Sequence, residues 1–338
     1  MNRNKLTKRF LLLSAALTMA LSQSAFAGET VALNLDDAML RAFQTNPTVS
    51  IAQYELDSAR ASYNAARQSR GISISANHDS NRSGNNDAPK NITNTHSNTL
   101  TAALPIFTGG KLSGSIKQAK ANYQYNEVGV QRTYNEMRST VTDGYFNMLQ
   151  ADNIQKLSAE SVTRLEDHLK NVQAQYDVGV VAKVDVLRSQ VELANAKQTL
   201  IQAENAYQVA EANMNKIVGL PMDTTLKLDN LLVYNAYDKN MDDCLAYAAE
   251  HRPELMQAKY GVDAAKGALL VARSGHMPQV SASATQALGS DHWLGDNRTK
   301  WYAGINVKMN VFDTGVTLSK IHGAEADLKR LKKHIAIP

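Results

Sequence analysis

The chain runs to 338 residues, 43% hydrophobic and 20% charged, with a formal net charge of +4. Arg3, Lys5, Lys8 and Arg9, all ahead of the first acidic residue, supply that whole excess, so the rest is formally neutral and no nucleic-acid partner is expected. Cys244 is the only cysteine, which excludes an intrachain disulfide, and a negative mean hydropathy excludes a bundle of membrane-spanning helices.

Residues 1–27 read as a signal peptide. The four cations form a positive n-region, residues 10–21 an apolar core, and Ala25-Phe26-Ala27 a small-x-small cleavage site before Gly28. The apolar run is too short for the ~20 residues of a membrane span. No cysteine follows the cleavage site, so lipid anchoring has no support.

A first repeat is expected over residues 28–220. It opens on a helix at Asp36-Asp37, an acidic pair that suits helix capping better than catalysis. Alternation at Ile72, Ile74 and Ala76, and again at Leu100, Ala102 and Leu104, predicts two strands joined by a polar loop over residues 80–98. No proline lies between Pro105 and Pro221, so a helix from Lys111 to about Tyr176 is predicted, ~65 residues or roughly 100 Å of contour. Val130, Tyr134, Met137, Val141, Gly144, Met148 and Ala151 step by four and three, and Val162, Leu165, Leu169, Val172 and Tyr176 resume the pattern. A return helix repeats it from Val186 and Ser189 to Met214 and Ile217, with large and small residues alternating at Leu193, Ala196, Leu200 and Ala203. Such a seven-residue repeat specifies coiled-coil packing, here of two antiparallel helices joined by a short turn over residues 178–183.

After an inter-repeat linker at 221–240, residues 241–338 repeat the plan. At an offset of 206, Asp36-Asp37 falls on Asp242-Asp243, Pro47 on Pro253, Tyr54 on Tyr260 and Arg67 on Arg273. At 205, Phe107 falls on Phe312 and Gly110 on Gly315, where a strand passes into a helix. Val280, Ala282 and Ala284 predict one further strand. Trp301, Ala303, Ile305, Val307, Met309 and Val311 predict another of ~12 residues, whose height at a 45° tilt is about 28 Å. Trp301 and Trp293 are candidates for an interfacial aromatic girdle. By analogy with the first repeat, roughly 90 residues would be missing from the second.

Counting then constrains assembly. Four strands cannot close a barrel, and an open edge in lipid leaves backbone groups unsatisfied. Copies must therefore join, and two or three would each suffice. No catalytic constellation or metal-ligand spacing is found. Thr108-Gly109-Gly110-Lys111 lacks the upstream glycine and the Lys-Ser/Thr step of a phosphate loop.

A duplicated helix–strand–strand–helix unit of this kind resembles the TolC family of outer-membrane efflux proteins. The resemblance is most specific from Tyr176 to Leu187 and at the pairs Phe107/Gly110 and Phe312/Gly315. It implies a mainly α protein with membrane β. Long antiparallel coiled-coil helices would build a periplasmic tunnel, and three copies of four strands would form one trimeric barrel of twelve in the outer membrane. It implies a passive conduit of a tripartite efflux or type I secretion system, with no cofactor. The conduit would be coupled to an inner-membrane transporter through a periplasmic adaptor. By the same resemblance Val178, Gly179 and Val180 would meet that adaptor. Asp185 would stand at the periplasmic aperture, a position where a helix N-terminus also favours an acid. The alternative is a non-conducting periplasmic coiled-coil structural protein, or an inactive fragment of such a duct.

Overall fold

A computed structural model describes residues 30–85, 88–229, 236–290 and 298–335. The expected signal peptide and Trp293 lie outside them. In chain order the elements are β1 (Thr30–Leu33), α1 (Leu35–Thr45), α2 (Pro47–Gln68), β2 (Ser73–Asn85), β3 (Ala88–Phe107) and α3 (Lys111–Asp177). Then come α4 (Lys183–Val218), β4 (Thr225–Leu228), α5 (Met241–His251), α6 (Pro253–Arg273), β5 (Gln279–Ser290), β6 (Arg298–Lys308) and α7 (Val316–Ile335). The two long helices end within a residue of where they are expected, α3 at Asp177 against Tyr176 and α4 at Val218 against Ile217. The parallel β1–β4 pair was not foreseen, because four residues carry too little periodicity to read.

Helix starts are duplicated as the repeat requires, though not through the aspartates. Asn34 accepts the Asp37 N–H at 2.7 Å and Asn240 the Asp243 N–H at 2.8 Å. These asparagines, themselves 206 apart, are the N-caps; Asp36-Asp37 and Asp242-Asp243 occupy the first turns, where carboxylates favour the positive helix end.

One compact unit comprises residues 1–46 and 136–235. There the predicted seam of α3 and α4 is turned inward: Met137, Val141, Met148, Val162, Val186, Ser189, Ala203 and Met214 are all buried. Gly144 lets the helices approach, since a Cβ there would lie 2.8 Å from Ile217 Cδ1. Tyr176, expected on the seam, is 38% exposed beside the turn. The β1–β4 pair is tied to the hairpin by two tyrosines. The Tyr145 hydroxyl donates to Asp229 O at 2.8 Å, and Glu211 accepts the Leu226 N–H at 2.8 Å while Tyr207 reaches Leu226 O. Burial pushes the Tyr145 phenol up, and burial with the Glu211 charge pushes Tyr207 up to about 12, so both remain donors at neutral pH. At the end of α4, Gly219 takes a left-handed φ of 70°. Thr45 and Asn46 donate to the otherwise open carbonyls of Val218 and Ile217, at 2.9 and 3.0 Å.

The other unit comprises residues 47–135 and 236–338. Its centre is a four-stranded antiparallel sheet in the order β2-β3-β5-β6, which leaves β2 and β6 as edges. Two expectations are corrected here. The polar segment 80–98 is not a loop: β2 and β3 pair through it, with Ser80 opposite His96 and Ser83 opposite Thr93. Polarity there reports solvent on both faces, whereas backbone pairing is indifferent to side-chain polarity and threonines favour it. The last strand stops at Lys308 rather than Val311. Its final partner is Gln279, and the residue before that, Pro278, has no N–H to donate. Eleven residues still span about 37 Å, or about 26 Å high at a 45° tilt.

Candidate functional surfaces

The turn between α3 and α4 is a Schellman motif. Val180 N–H donates to Gln175 O and Gly179 N–H to Tyr176 O, both at 2.9 Å, with Gly179 at φ 77°. The motif forces its two neighbours outward: Val178 is 74% and Val180 72% exposed, with Val184 and Leu187 also exposed nearby. Val178, Gly179 and Val180 thus form one apolar tip with no polar side-chain atoms. Asp185 lies on the same hairpin, where its carboxylate accepts the Ala182 N–H at 3.2 Å and closes the first turn of α4. Among the described residues that hydrogen bond gives Asp185 a structural role whatever else it does.

Further along α3, in the same unit, Phe146, Leu149, Ile154 and Leu157 with Gln150 and Asn153 line an open groove of about 420 Å³. Three of its four apolar residues are exposed, so α3 carries a second apolar stripe besides the one spent on α4.

Register sorts the sheet into two faces. Ile74, Ala102, Ala284 and Ala303 share one rung, and Ala76, Leu100, Gln286 and Trp301 the next. With Leu104, Ala282 and Ile305 they form an apolar face, on which Trp301 is 77% exposed. The opposite face carries Ser75, Thr101, Thr285 and Tyr302, then Asn77, Thr99, Ala287 and Lys300. Thr101 and Thr285 are in hydrogen-bond contact there, at 3.1 Å.

The two strand-to-helix turns superimpose in detail. Phe107 closes β3, and Gly109 and Gly110 follow at φ 60° and 95°; Phe312 precedes Thr314 and Gly315 at φ 53° and 89°. Thr108 Oγ1 accepts the Leu112 N–H at 3.2 Å, and Asp313 accepts the Thr317 N–H at 2.9 Å, at the same offset of 205. These two pairs share one structural job, that of reversing a strand into a helix, and neither builds a pocket with chemistry. Cys244 is half-buried, with its Sγ 3.6 Å from the Tyr237 hydroxyl. Among the described residues no group of three or more potential metal ligands occurs, and no helix is long and apolar enough to cross a membrane.

The chain thus combines a long helical hairpin with an open sheet that is apolar on one face and polar on the other. The family of outer membrane efflux proteins matches residues 39–220 and 245–334, and the chain belongs to it. Its fold is that of the Campylobacter jejuni CmeC outer membrane channel (TM-score 0.78, 13% identity, covering 89% of this chain and 66% of that one). Vibrio cholerae VceC is similar too (TM-score 0.76, 15% identity, 89% and 74% covered). In sequence, it is 27% identical to the outer membrane protein TolC of Escherichia coli over 155 residues, 46% of this chain and 31% of that protein. It is 23% identical to the probable efflux pump outer membrane protein TtgC of Pseudomonas putida over 322 residues, 89% and 64%. The chain thus spans less than two thirds of the length of TolC and of TtgC.

Proposed function

We propose that the chain is one subunit of an outer-membrane duct, a passive conduit rather than an enzyme, exported by the signal peptide at 1–27. The observation that carries this is the sheet. It has an apolar face suited to lipid, a polar face suited to a water-filled lumen, and two open edges. In lipid each unpaired edge group costs several kcal/mol, so the edges must be closed by other copies. Because β2 and β6 run in opposite directions, β6 of one copy meets β2 of the next as an antiparallel pair. Three copies give twelve strands, the number that the family resemblance supports. On this reading the repeats at 28–220 and 241–338, joined by the linker at 221–240, contribute strands to the outer membrane and helices to the periplasm. The second apolar stripe of α3 suits a neighbouring copy.

In this reading Val178, Gly179 and Val180 form the contact with a periplasmic adaptor protein, through which an inner-membrane transporter delivers cargo. Asp185 lines the periplasmic aperture as well as closing its helix turn. The test is recovery of the chain from the outer-membrane fraction as an oligomer that dissociates only on heating. A water-soluble monomer with no β signal in lipid overturns the duct. Replacing Val178 and Val180 with glutamate should leave the oligomer intact and abolish cross-linking to the adaptor. If both variants still cross-link, the tip assignment fails.

A further inference from the structure

The apolar face of the sheet does not end in solvent at its tryptophan. One rung beyond Ala76, Leu100 and Trp301 lie His78 and Asn98, beside Leu288 and Thr299. The next rung holds Ser80, His96 and Ser290, and the one after it Arg82 and Asn94. Alternation fixes all of these on the apolar side. The His78 and His96 rings stand 6.0 Å apart and nearly parallel, at 22°. His78 Nδ1 lies 2.7 Å from Asn98 Oδ1, so Nδ1 is the donor and the ring is held in place with Nε2 turned to other partners. Arg82 is exposed, about 14 Å along the strand from His78 and within side-chain reach of the His96 rung.

Among the described residues no acidic side chain shares this face on the four rungs from Ala76 to Arg82. Asp79, opposite Ser97, and Lys300 both belong to the other side. Among the described residues β5 pairs with β3 as far as the His96–Ser290 pair. The face therefore passes within a few rungs from apolar, through a tryptophan, to two histidines and an arginine, at the end remote from the helices. That sequence of chemistries matches the descent of a lipid from headgroup to acyl chain.

We propose that His78, His96 and Arg82 bind the phosphate of a lipid headgroup whose acyl chains lie on the band of Ile74, Leu100 and Trp301. The site rests on the duct reading, which gives that band to the bilayer. Arginine presents a planar fork to phosphate oxygens, and imidazole N–H groups add donors in a region where lipid excludes part of the water. Continuity with the apolar band selects a lipid over free phosphate, which has no use for it.

The experiment is reconstitution of the full chain into vesicles of phosphatidylglycerol and phosphatidylcholine. Detergent extraction follows, with native mass spectrometry of the retained lipid. Phosphatidylglycerol is expected to be enriched about fivefold over the bulk on the native chain, and close to the bulk ratio on a variant combining His78→Ala, His96→Ala and Arg82→Ala. Lys300→Ala, on the opposite face, should leave the enrichment unchanged. Equal enrichment on the triple variant, or loss with Lys300→Ala, overturns the site. So does displacement of the lipid by millimolar inorganic phosphate. Heat-dissociable oligomers without enrichment overturn the site alone; failure to insert at all overturns the duct and the site together.

Discussion

The two repeats begin with the same helix and use it differently. In α1, Ala38 and Ala42 are fully buried, and Thr45 and Asn46 hold the last carbonyls of α4. The corresponding positions of α5 are Cys244, Ala248, His251 and Arg252, and α5 buries none of its residues. The caps are alike, and so are the small residues at Ala38/Cys244 and Ala42/Ala248, but His251 and Arg252 stand where Thr45 and Asn46 do. Helix formation here is a local property of sequence, copied faithfully by the repeat, whereas burial belongs to the partner that a helix meets.

The strand-to-helix turns sharpen that contrast, and they carry the largest expected effect. Gly109 has two reasons to be glycine: its left-handed φ, and Met277 Cβ only 2.2 Å from where a Cβ would stand. At the equivalent position the second repeat carries Thr314 at φ 53°, a β-branched residue in a conformation that costs about 1–2 kcal/mol. Gly109→Ala should cost about 3 kcal/mol, strain and overlap together, while Thr314→Gly should gain about 1 kcal/mol. Thermal loss of helical circular dichroism in detergent measures both. If the two changes shift the midpoint in the same direction, the turns are not the equivalents that their hydrogen bonds make them.

A smaller effect separates the two initial helices. The Thr45 hydroxyl donates to Val218 O and Arg41 O, at 2.9 and 2.8 Å, against a residue that is fully buried. Thr45→Val keeps the volume and removes the donor, so it should cost about 1–2 kcal/mol. His251, its counterpart, stacks on Tyr247 within its own helix and bonds Tyr247 O. His251→Ala should therefore fall within ~0.5 kcal/mol of the native chain in the same melt. A comparable loss at both positions would mean that α5 is docked as firmly as α1.

How much of this could be read beforehand follows from the range of each interaction. The seam from Val130 to Ile217 was legible because a sustained heptad samples the same neighbour many times. The Phe107/Gly110 and Phe312/Gly315 turns were legible because left-handed backbone leaves few residue choices. The β2–β3 ribbon is hidden because runs of Asn, Ser and Thr suit a polar loop as well as a polar strand. That ambiguity also hides His78 and His96, which are 18 positions apart in sequence and adjacent only through strand register. Extending the alternation of Ile74 and Ala76 through His78 and Arg82 would have found them. The Thr45 and Tyr145 anchors, which reach 173 and 84 residues along the chain, leave no periodic trace at all.

The finest test of the two turns is their response to acid. In the second, Asp313 accepts hydrogen bonds from the Thr317 hydroxyl, the Thr317 N–H and the Gly315 N–H, and the Thr317 hydroxyl above all holds its carboxyl below the usual carboxylate range. A carboxyl with a depressed folded pKa contributes stability that is complete above the unfolded value of about 3.9. That stability is lost as pH falls through the lower folded value. In the first turn Thr108 does the same work with a hydroxyl that does not titrate. Below about pH 4, hydrogen exchange at Val316 and Thr317 should therefore accelerate relative to Lys111 and Leu112. Asp313→Asn should flatten that pH dependence while keeping an acceptor. Were both turns to loosen together, the acid response would come from something they share, not from the one carboxylate that distinguishes them.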